Sequence, residues 1–211
     1  MARRARIVVC AGAALLAFAG NSICCRLALR SHAIDPASFT TLRLVSGAMV
    51  LVQLTRWLRG GTVPRAGSWP AALALAVYAA AFSFAYVQLS AATGTLLLFG
   101  AVQLTMLAAA FAAGERLSPR AWIGAFAALL GLVVLTAPEL EGGSLAGTLS
   151  MAVAGFAWGV YSLRGRSSVD AIAATCANFV RACLLAVPLL LPAALLGGSS
   201  PRPSGVLLAV V

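Results

Sequence analysis

The stretch TTLRLVSGAMVL, residues 40–51, is an apolar run that carries one arginine, Arg43. It belongs to a longer apolar segment that is predicted to form a helix from Pro36 to about Trp57. Helices of this length cross membranes, because about 20 apolar residues span the hydrocarbon core. Arg43 lies roughly 12 Å along the predicted helix axis. At that depth its side chain needs a partner or water inside the membrane.

The composition of the 211-residue chain is typical of polytopic α-helical membrane proteins. Hydrophobic residues make up 62% of the chain and charged residues 9%, whereas soluble domains carry about 25% charge. The lack of strict apolar alternation argues against a transmembrane β-barrel. All 15 basic residues are arginines, and the net charge is +10. Because the arginines cluster between apolar runs, they indicate membrane topology rather than binding to nucleic acid.

Catalysis and cofactor binding are not expected from the residue types present. His32 is the single histidine, and the five cysteines lack the spacing of metal ligands. The motifs of serine hydrolases, zinc proteases and P-loop proteins do not occur. We therefore predict no enzyme activity, no metal site and no cofactor.

Seven membrane helices and the start of an eighth are predicted from the apolar runs. Pro138 is expected to end the fifth helix, and the seventh contains Pro188 and Pro192. The final run is too short to cross a membrane, so the chain is expected to be a fragment or to fold back at the surface. The predicted ranges are Ile7–Leu29, Pro36–Trp57, Trp69–Leu89, Thr93–Ala113, Arg120–Ala137, Leu145–Leu163 and Ala171–Leu196, followed by VLLAVV at 206–211.

Arginine counts predict the orientation of the chain. Ten arginines either precede the first helix or follow the second, fourth and sixth helices, and these positions all fall on one side of the membrane. By the positive-inside rule this side is the cytoplasm. The N-terminus is therefore predicted to be cytoplasmic, in a multi-pass protein of the cell inner membrane. The first apolar run also imitates a secretory signal, but it continues to about Ala28, which favours a retained helix.

A weak internal repeat relates two parts of the chain. FAGNSICCRLALRSHAID, residues 18–35, aligns with VAGFAWGVYSLRGRSSVD, residues 153–170, so that Asp35 matches Asp170. The two segments are five predicted helices apart. Because five is an odd number, the copies would point in opposite directions through the membrane. This is the pattern of the inverted repeats found in secondary transporters.

Four stretches resemble the EamA-type transporters of the drug/metabolite transporter superfamily. They are IDPASFTTLRLVSG (34–47), FSFAYVQLSAATGTLLLFGAVQLTM (82–106), GERLSPRAWIGAFAALLGLVVL (114–135) and AGFAWGVYSLRGR (154–166). The G-E-R-L turn, followed by a helix with spaced glycines, is the most specific of them. The resemblance implies ten helices in two inverted halves. This chain would supply the first half in residues 1–140 and an incomplete second half in residues 141–211.

Eight residues are predicted to line a substrate cavity. Arg43 and Arg181 each lie deep in the second helix of a predicted half. Each arginine could either hydrogen-bond a neighbouring helix or attract anionic solutes. For the aromatic and amide side chains, the alternative is packing or an interhelical hydrogen bond. The candidates are Asn21, Arg43, Tyr86, Gln103, Trp158, Tyr161, Asn178 and Arg181.

The acidic residues narrow the expected solute. All five lie at predicted helix ends or in loops, which argues against a cation/proton antiporter and favours a neutral, zwitterionic or anionic solute. We predict a carrier of a small metabolite, such as an amino acid, that works by alternating access, and the resemblance implies export. Its partners would be the lipid bilayer and a small-molecule solute, with a homodimer left open. The alternative is a truncated, non-transporting membrane protein that acts as an assembly partner or has no function.

Overall fold

The computed structural model describes residues 2–30, 33–61, 66–115, 118–140, 144–190 and 203–210, of which residues 2, 3 and 135–140 are described by their backbone alone. Helices form all of the regular secondary structure in these ranges. They are α1 (Ala2–Arg30), α2 (Pro36–Leu58), α3 (Trp69–Tyr86), α4 (Ala91–Ala112), α5 (Pro119–Leu140), α6 (Leu145–Gly165), α7 (Ala171–Ala186) and α8 (Pro203–Val210), with a 3₁₀ turn at Val187–Leu189.

Six helices in the described ranges are long and apolar enough to cross a membrane. They are α1 to α4, α6, and α7 together with its 3₁₀ turn, while α5 contributes a shorter apolar helix, Pro119–Val134. Large apolar side chains such as Leu16, Trp57 and Leu130 are exposed on the outside of the bundle. Such a surface suits contact with lipid rather than water. The chain is therefore an all-helical, multi-pass membrane protein.

α2 and α7 begin at Pro36 and Ala171, as predicted, and each is capped by the aspartate side chain before it. Asp35 accepts hydrogen bonds from the backbone N–H groups of Ala37 and Ser38, at 3.1 and 2.9 Å. Asp170 accepts one from the N–H group of Ala173 at 3.2 Å. The first N–H groups of a helix have no partner within the helix, and a capping carboxylate supplies one.

The predicted helix Ala171–Leu196 is not regular throughout. Its α-helical part ends at Ala186 and a 3₁₀ turn follows over Val187–Leu189, while the predicted end at Leu196 lies outside the described residues. Pro188 lacks an N–H group, and its ring crowds the carbonyl group four residues earlier, so regular α-helical bonding is interrupted there. Pro192 lies outside the described residues.

Several other helix ends also differ from the prediction. Pro138 does not end α5, whose backbone stays helical to Leu140, because a proline removes one hydrogen bond without preventing the following turn. At the N-terminus, α1 begins at Ala2 rather than Ile7, since alanine and arginine favour helix strongly. α3 ends at Tyr86.

α3 occupies the centre of the bundle. It packs most extensively on α6 and also contacts α7, α2 and α1. α6 packs in addition on α4, α2 packs on α7 and α8, and α1 packs on α8, α3 and α4. α5 makes its main contact with α4. The interior is therefore formed by segments that are distant in sequence.

Two glycines on α6 allow its close approach to α4. A Cβ atom on Gly155 would lie 2.6 Å from the carbonyl oxygen of Leu98, and one on Gly159 would lie 2.7 Å from the side chain of Thr105. The glycines are four residues apart, so they share one helix face, as in other small-residue packing motifs of membrane helices. No larger residue fits here without moving α4.

The two capping aspartates lie at opposite ends of the bundle. Asp35 precedes α2, which has 23 residues and a length of about 34 Å at 1.5 Å per residue. Arg59 follows α2 and forms an ion pair with Asp170. Asp170 is therefore at the end where α2 finishes, and Asp35 is at the end where it begins.

Candidate functional site

Arg43 lies inside the bundle against an aromatic and thiol-lined wall. Its Nη1 donates a hydrogen bond to the sulfur of Cys25 at 3.3 Å, and the hydroxyl of Tyr78 is within hydrogen-bonding reach. The guanidinium carbon lies 5.6 Å from the ring centre of Phe39 and 5.4 Å from that of Phe82. These contacts cover part of the cation with π-faces, which attract positive charge.

Two cavities meet at Arg43. The larger has a volume of about 580 Å³ and lies between α1, α2, α7 and α8. The smaller has a volume of about 250 Å³ and is enclosed by α1, α2, α3, α6 and α7. Four residues line both cavities: Ala17, Asn21, Arg43 and Phe179. Arg43 and Asn21 therefore supply the polar groups of the wall that the two cavities share.

The charge of Arg43 is not balanced by a carboxylate within the described part of the chain. The acidic side chains described there belong to Asp35, Glu115 and Asp170, and none of them lines either cavity. The ion pair found among the same residues joins Arg59 to Asp170 and does not involve Arg43. The two cavities therefore have an uncompensated positive charge at their junction.

Trp158 and Tyr161 follow one another along the α6 face that points to the smaller cavity. Trp158 lines that cavity, and its ring centre lies 4.7 Å from that of Tyr78 and 6.1 Å from that of Phe18. Tyr161 packs against Trp158 at 5.4 Å but lines neither cavity. Aromatic side chains thus form one wall of the smaller cavity.

Arg181 lies away from these cavities, although it belongs to the helix that matches α2. Its Nη1 donates to the carbonyl oxygen of Ala66 at 2.9 Å, and its guanidinium lies 5.7 Å from the Trp69 ring centre. Both partners belong to the segment that leads into α3. Arg181 therefore holds the start of α3 against α7.

Asn178 also supports the start of α3. Its Oδ1 accepts a hydrogen bond from the backbone N–H of Ser68 at 2.9 Å. It lines a separate cavity of about 320 Å³ together with Ser68 and Arg164. This cavity is near the end of the bundle that carries Asp170, so Asn178 and Arg43 lie in different places.

Tyr86 and Gln103 are also placed apart from Arg43. Tyr86 is fully buried, and its hydroxyl lies 3.1 Å from that of Thr95, with its ring packed against Phe82. Gln103 lines a cavity of about 290 Å³ between α4 and α5. Of the eight candidates, the structure brings Asn21, Arg43 and Trp158 to one cavity and places Tyr161 beside them.

Comparison with known proteins gives a match to the EamA-like transporter family over residues 5–137. The chain belongs to this family. Members of the EamA-like family are transporters rather than enzymes, and the family indicates a membrane transporter of the drug/metabolite type. The matched residues include α1 to α4 and most of α5.

One relative and one solved structure extend the comparison. An uncharacterized protein of Pseudomonas aeruginosa is 52% identical over 178 residues, which are 84% of this EamA-like chain and 62% of that protein. The chain thus spans less than two thirds of the length of this relative. A protein crystal structure matches with a TM-score of 0.60 and 26% identity, covering 95% of this chain and 74% of the other.

Sequence reasoning missed several residues around Arg43 of the EamA-like chain. Tyr78 and Cys25 contact the guanidinium, and Phe39 and Phe82 cover it. A local signal existed, because Phe39 and Arg43 are four residues apart, as are Tyr78 and Phe82, and such pairs share a helix face. The contact between α1 and α2 that brings Cys25 to Arg43 has no local signal.

Arg26, which the sequence analysis did not single out, has a clear structural role. Its Nη1 donates to the carbonyl oxygens of Tyr86 and Val87, at 2.7 and 3.2 Å. These carbonyl groups lie at the end of α3, where the helix has unpaired acceptors and a partial negative charge. Arg26 therefore ties α1 to the end of α3.

Among the residues that the structure describes, no group of three or more His, Cys, Asp or Glu side chains could hold a metal ion. The polar groups at the cavity junction are a guanidinium, an amide, a thiol and hydroxyls. These groups can bind a small solute through hydrogen bonds and charge.

Proposed function

We propose that this EamA-like chain carries a small neutral, zwitterionic or anionic metabolite across the cell inner membrane through the cavities that meet at Arg43. This proposal rests on the position of Arg43. It is a cation on the wall that the two cavities share, and it has no carboxylate partner in the described ranges. An ionisable group in a membrane protein usually faces a partner, water or a solute pathway. Export is the proposed direction, in keeping with the resemblance to EamA-type transporters.

Two inverted halves, residues 1–140 and 141–211, form the framework of the proposed alternating access. The helix contacts support this proposal. In two inverted repeats, α1, α2 and α3 correspond to α6, α7 and α8. The α3–α6 contact then corresponds to α8–α1, and the α3–α7 contact corresponds to α8–α2. The α2–α7 contact is unchanged by the exchange, and all five contacts are present.

The capping aspartates support the same framework. Asp35 and Asp170 match in the internal repeat, cap the matching helices α2 and α7, and lie at opposite ends of the bundle. In the proposed orientation, Asp170 and the N-terminus face the cytoplasm. Asp35 faces the other side.

Cysteine labelling tests this orientation. In a cysteine-free background, we expect Val169→Cys, at a fully exposed position beside Asp170, to react from the cytoplasmic side. Asp35→Cys should react with a membrane-impermeant reagent applied outside intact cells. Labelling of both positions from the same side would contradict the inverted arrangement.

Reconstituted vesicles test transport itself. Vesicles that contain the protein would be loaded with a mixture of amino acids and organic acids, and release would be followed by mass spectrometry. We expect at least one solute to leave faster than from protein-free vesicles. Arg43→Ala should slow that release by roughly 10–100-fold, the value of a charge-assisted hydrogen bond.

Arg181→Ala is the matched control, because it removes the same side chain from α7 without touching either cavity. Its rate per folded protein should stay within about twofold of the wild type. Wild-type release by Arg43→Ala for every solute, or no solute release by the wild type, would contradict the proposed function.

A further inference from the structure

The hydrogen-bond partners of Arg43 leave most of its donors open. A guanidinium has five N–H donors. Nη1 donates to the sulfur of Cys25 at 3.3 Å, and a thiol sulfur is a weak acceptor. The hydroxyl of Tyr78 is also within hydrogen-bonding reach, so these two partners leave three of the five donors open. Phe39 and Phe82 contact the guanidinium through their rings, which do not accept the in-plane hydrogen bonds of a guanidinium. The remaining donors are available to an acceptor in the cavities that Arg43 lines.

A carboxylate fits these donors better than a neutral group. Its two oxygens match the planar fork of a guanidinium and accept two parallel hydrogen bonds. Such bonds between ions are roughly twice as strong as those between neutral groups. The absence of a carboxylate from the cavity walls in the described part of the chain leaves this position open to a solute carboxylate.

The smaller cavity fits a flat apolar group. Trp158, Tyr78, Phe18 and Phe179 line it, and Asn21 and Arg43 contribute to the same wall. Aromatic rings bind flat apolar surfaces by stacking and edge contacts. The volume of about 250 Å³ exceeds the 150 Å³ or so of an engineered apolar cavity that binds benzene. A single ring with a short chain therefore has room.

An ammonium group on the same solute would be poorly accommodated. No described residue that lines either cavity is acidic. The Oδ1 atom of Asn21 accepts a hydrogen bond from the Cys25 thiol, at 3.8 Å, and this neutral oxygen cannot balance the charge of an ammonium. An ammonium next to the bound carboxylate would also lie close to the positive charge of Arg43. A like charge without a partner weakens binding.

We propose that the transported solute is an organic monocarboxylate with a flat apolar body and no ammonium group. Arg43 binds its carboxylate, and the smaller cavity binds its body. This inference rests on the proposed transport function and narrows its solute class.

Four matched probes test the solute class by calorimetric titration of the detergent-solubilised protein. They share a phenyl ring and a short chain: 3-phenylpropionate, L-phenylalanine, 3-phenylpropionamide and 2-phenylethylamine. We expect 3-phenylpropionate to bind about tenfold or more tightly than each of the other three, because it alone presents a carboxylate without an ammonium. L-Phenylalanine binding as tightly as 3-phenylpropionate, or no binding of 3-phenylpropionate, would overturn the inference.

Variants assign the two parts of the solute. Arg43→Ala should remove the preference for 3-phenylpropionate over the amide, whereas Arg181→Ala should keep it. Trp158→Leu should weaken 3-phenylpropionate binding about fivefold or more through loss of ring contact. Trp122→Leu is its control, since Trp122 packs against Phe126 on α5, away from both cavities. An unchanged preference in Arg43→Ala, as measured on protein that elutes as a single folded species, would also overturn the inference.

The two proposals fail separately. Arg43-dependent release of another solute from vesicles, together with no preference for 3-phenylpropionate, would leave the transport function in place and refute this solute class. Failure of every solute to cross would refute the transport function, whichever probe binds.

Discussion

Arg43 and Arg181 are the same residue type, deep in the matching helices α2 and α7, yet their surroundings differ. Arg181 donates to the backbone carbonyl of Ala66 at 2.9 Å and packs on Trp69. Arg43 contacts a thiol and aromatic side chains and lines two cavities. Arg181 thus donates to a backbone carbonyl away from both cavities, whereas Arg43 lines the cavities, where a solute can reach its remaining donors.

The difference shows what the depth of a charged residue can and cannot indicate. An arginine within an apolar helix needs a polar partner, because leaving its charge unpaired among apolar groups is costly. The partner can be the protein's own backbone, which makes the arginine part of the packing. It can also be a ligand, which makes the arginine part of a binding site. Only the neighbouring segments decide between these two outcomes.

The largest loss of stability is expected from a substitution at Gly67, which lies between Ala66 and Ser68 in the region around Arg181. Its φ is +71°, and a Cβ atom there would lie 2.9 Å from the carbonyl oxygen of Ala174 and 3.0 Å from Nη1 of Arg181. Gly67→Ala should lower the free energy of unfolding by about 3 kcal/mol, through the left-handed conformation and the clash together.

Gly114→Ala is the matched control for Gly67→Ala. Gly114 has nearly the same φ, +73°, but nothing lies within 4 Å of its added Cβ atom. Gly114→Ala should lower the free energy of unfolding by only about 1–2 kcal/mol. Unfolding of both variants in detergent would be followed by circular dichroism. Equal losses would show that the contact of α3 with α7 is loose.

Replacing Arg181 should affect stability more than replacing Arg43, whereas replacing Arg43 should affect transport more. Arg181→Ala should lower the free energy of unfolding by about 1–2 kcal/mol, because a hydrogen bond between a charged donor and a backbone carbonyl is lost. Arg43→Ala should change it by less than about 0.5 kcal/mol, since removal of a desolvated cation offsets the lost contacts. Unfolding in the same detergent compares them, and a greater loss in Arg43→Ala would indicate that Arg43 is mainly a packing residue.

The smallest change in stability is expected at the two capping aspartates, Asp170 and Asp35. Asp170→Asn keeps a capping side chain but removes the ion pair with Arg59, and an exposed pair is worth about 0–1 kcal/mol. Asp35→Asn, the control, keeps the cap at the other end, so a change of only a few tenths of a kcal/mol is expected. The Asp170→Asn loss should shrink in high salt, which screens exposed charges. A salt-independent loss would contradict this explanation.

Local sequence features predicted most of the helices. The starts of α2 and α7 at Pro36 and Ala171 were predicted from the apolar runs, and capping by Asp35 and Asp170 involves only neighbouring residues. Two of the errors occur at prolines: Pro188 interrupts the α-helical bonding after α7, whereas the backbone continues as a helix through Pro138. A proline disturbs a helix to an extent that depends on its surroundings.

The candidate site was harder to predict. Asn21, Arg43 and Trp158 lie on α1, α2 and α6, and they line the same cavity. Tyr86 was predicted with them but is enclosed by packing near the end of α3. Tyr78 was not predicted, although it lies two helical turns before Tyr86 and faces Arg43. A position along one helix does not specify which neighbouring helix covers it.

The sequence by itself determined that this is a multi-pass helical membrane protein of the EamA-like family, with arginines deep in two apolar helices. Those properties follow from composition, from the lengths of apolar runs and from the stretches that resemble EamA-type transporters. The tertiary structure decided that Arg43 lies at a cavity junction and that Arg181 holds the start of α3. The reason is that each guanidinium takes its partners from segments distant in sequence, such as Cys25 for Arg43 and Ala66 for Arg181.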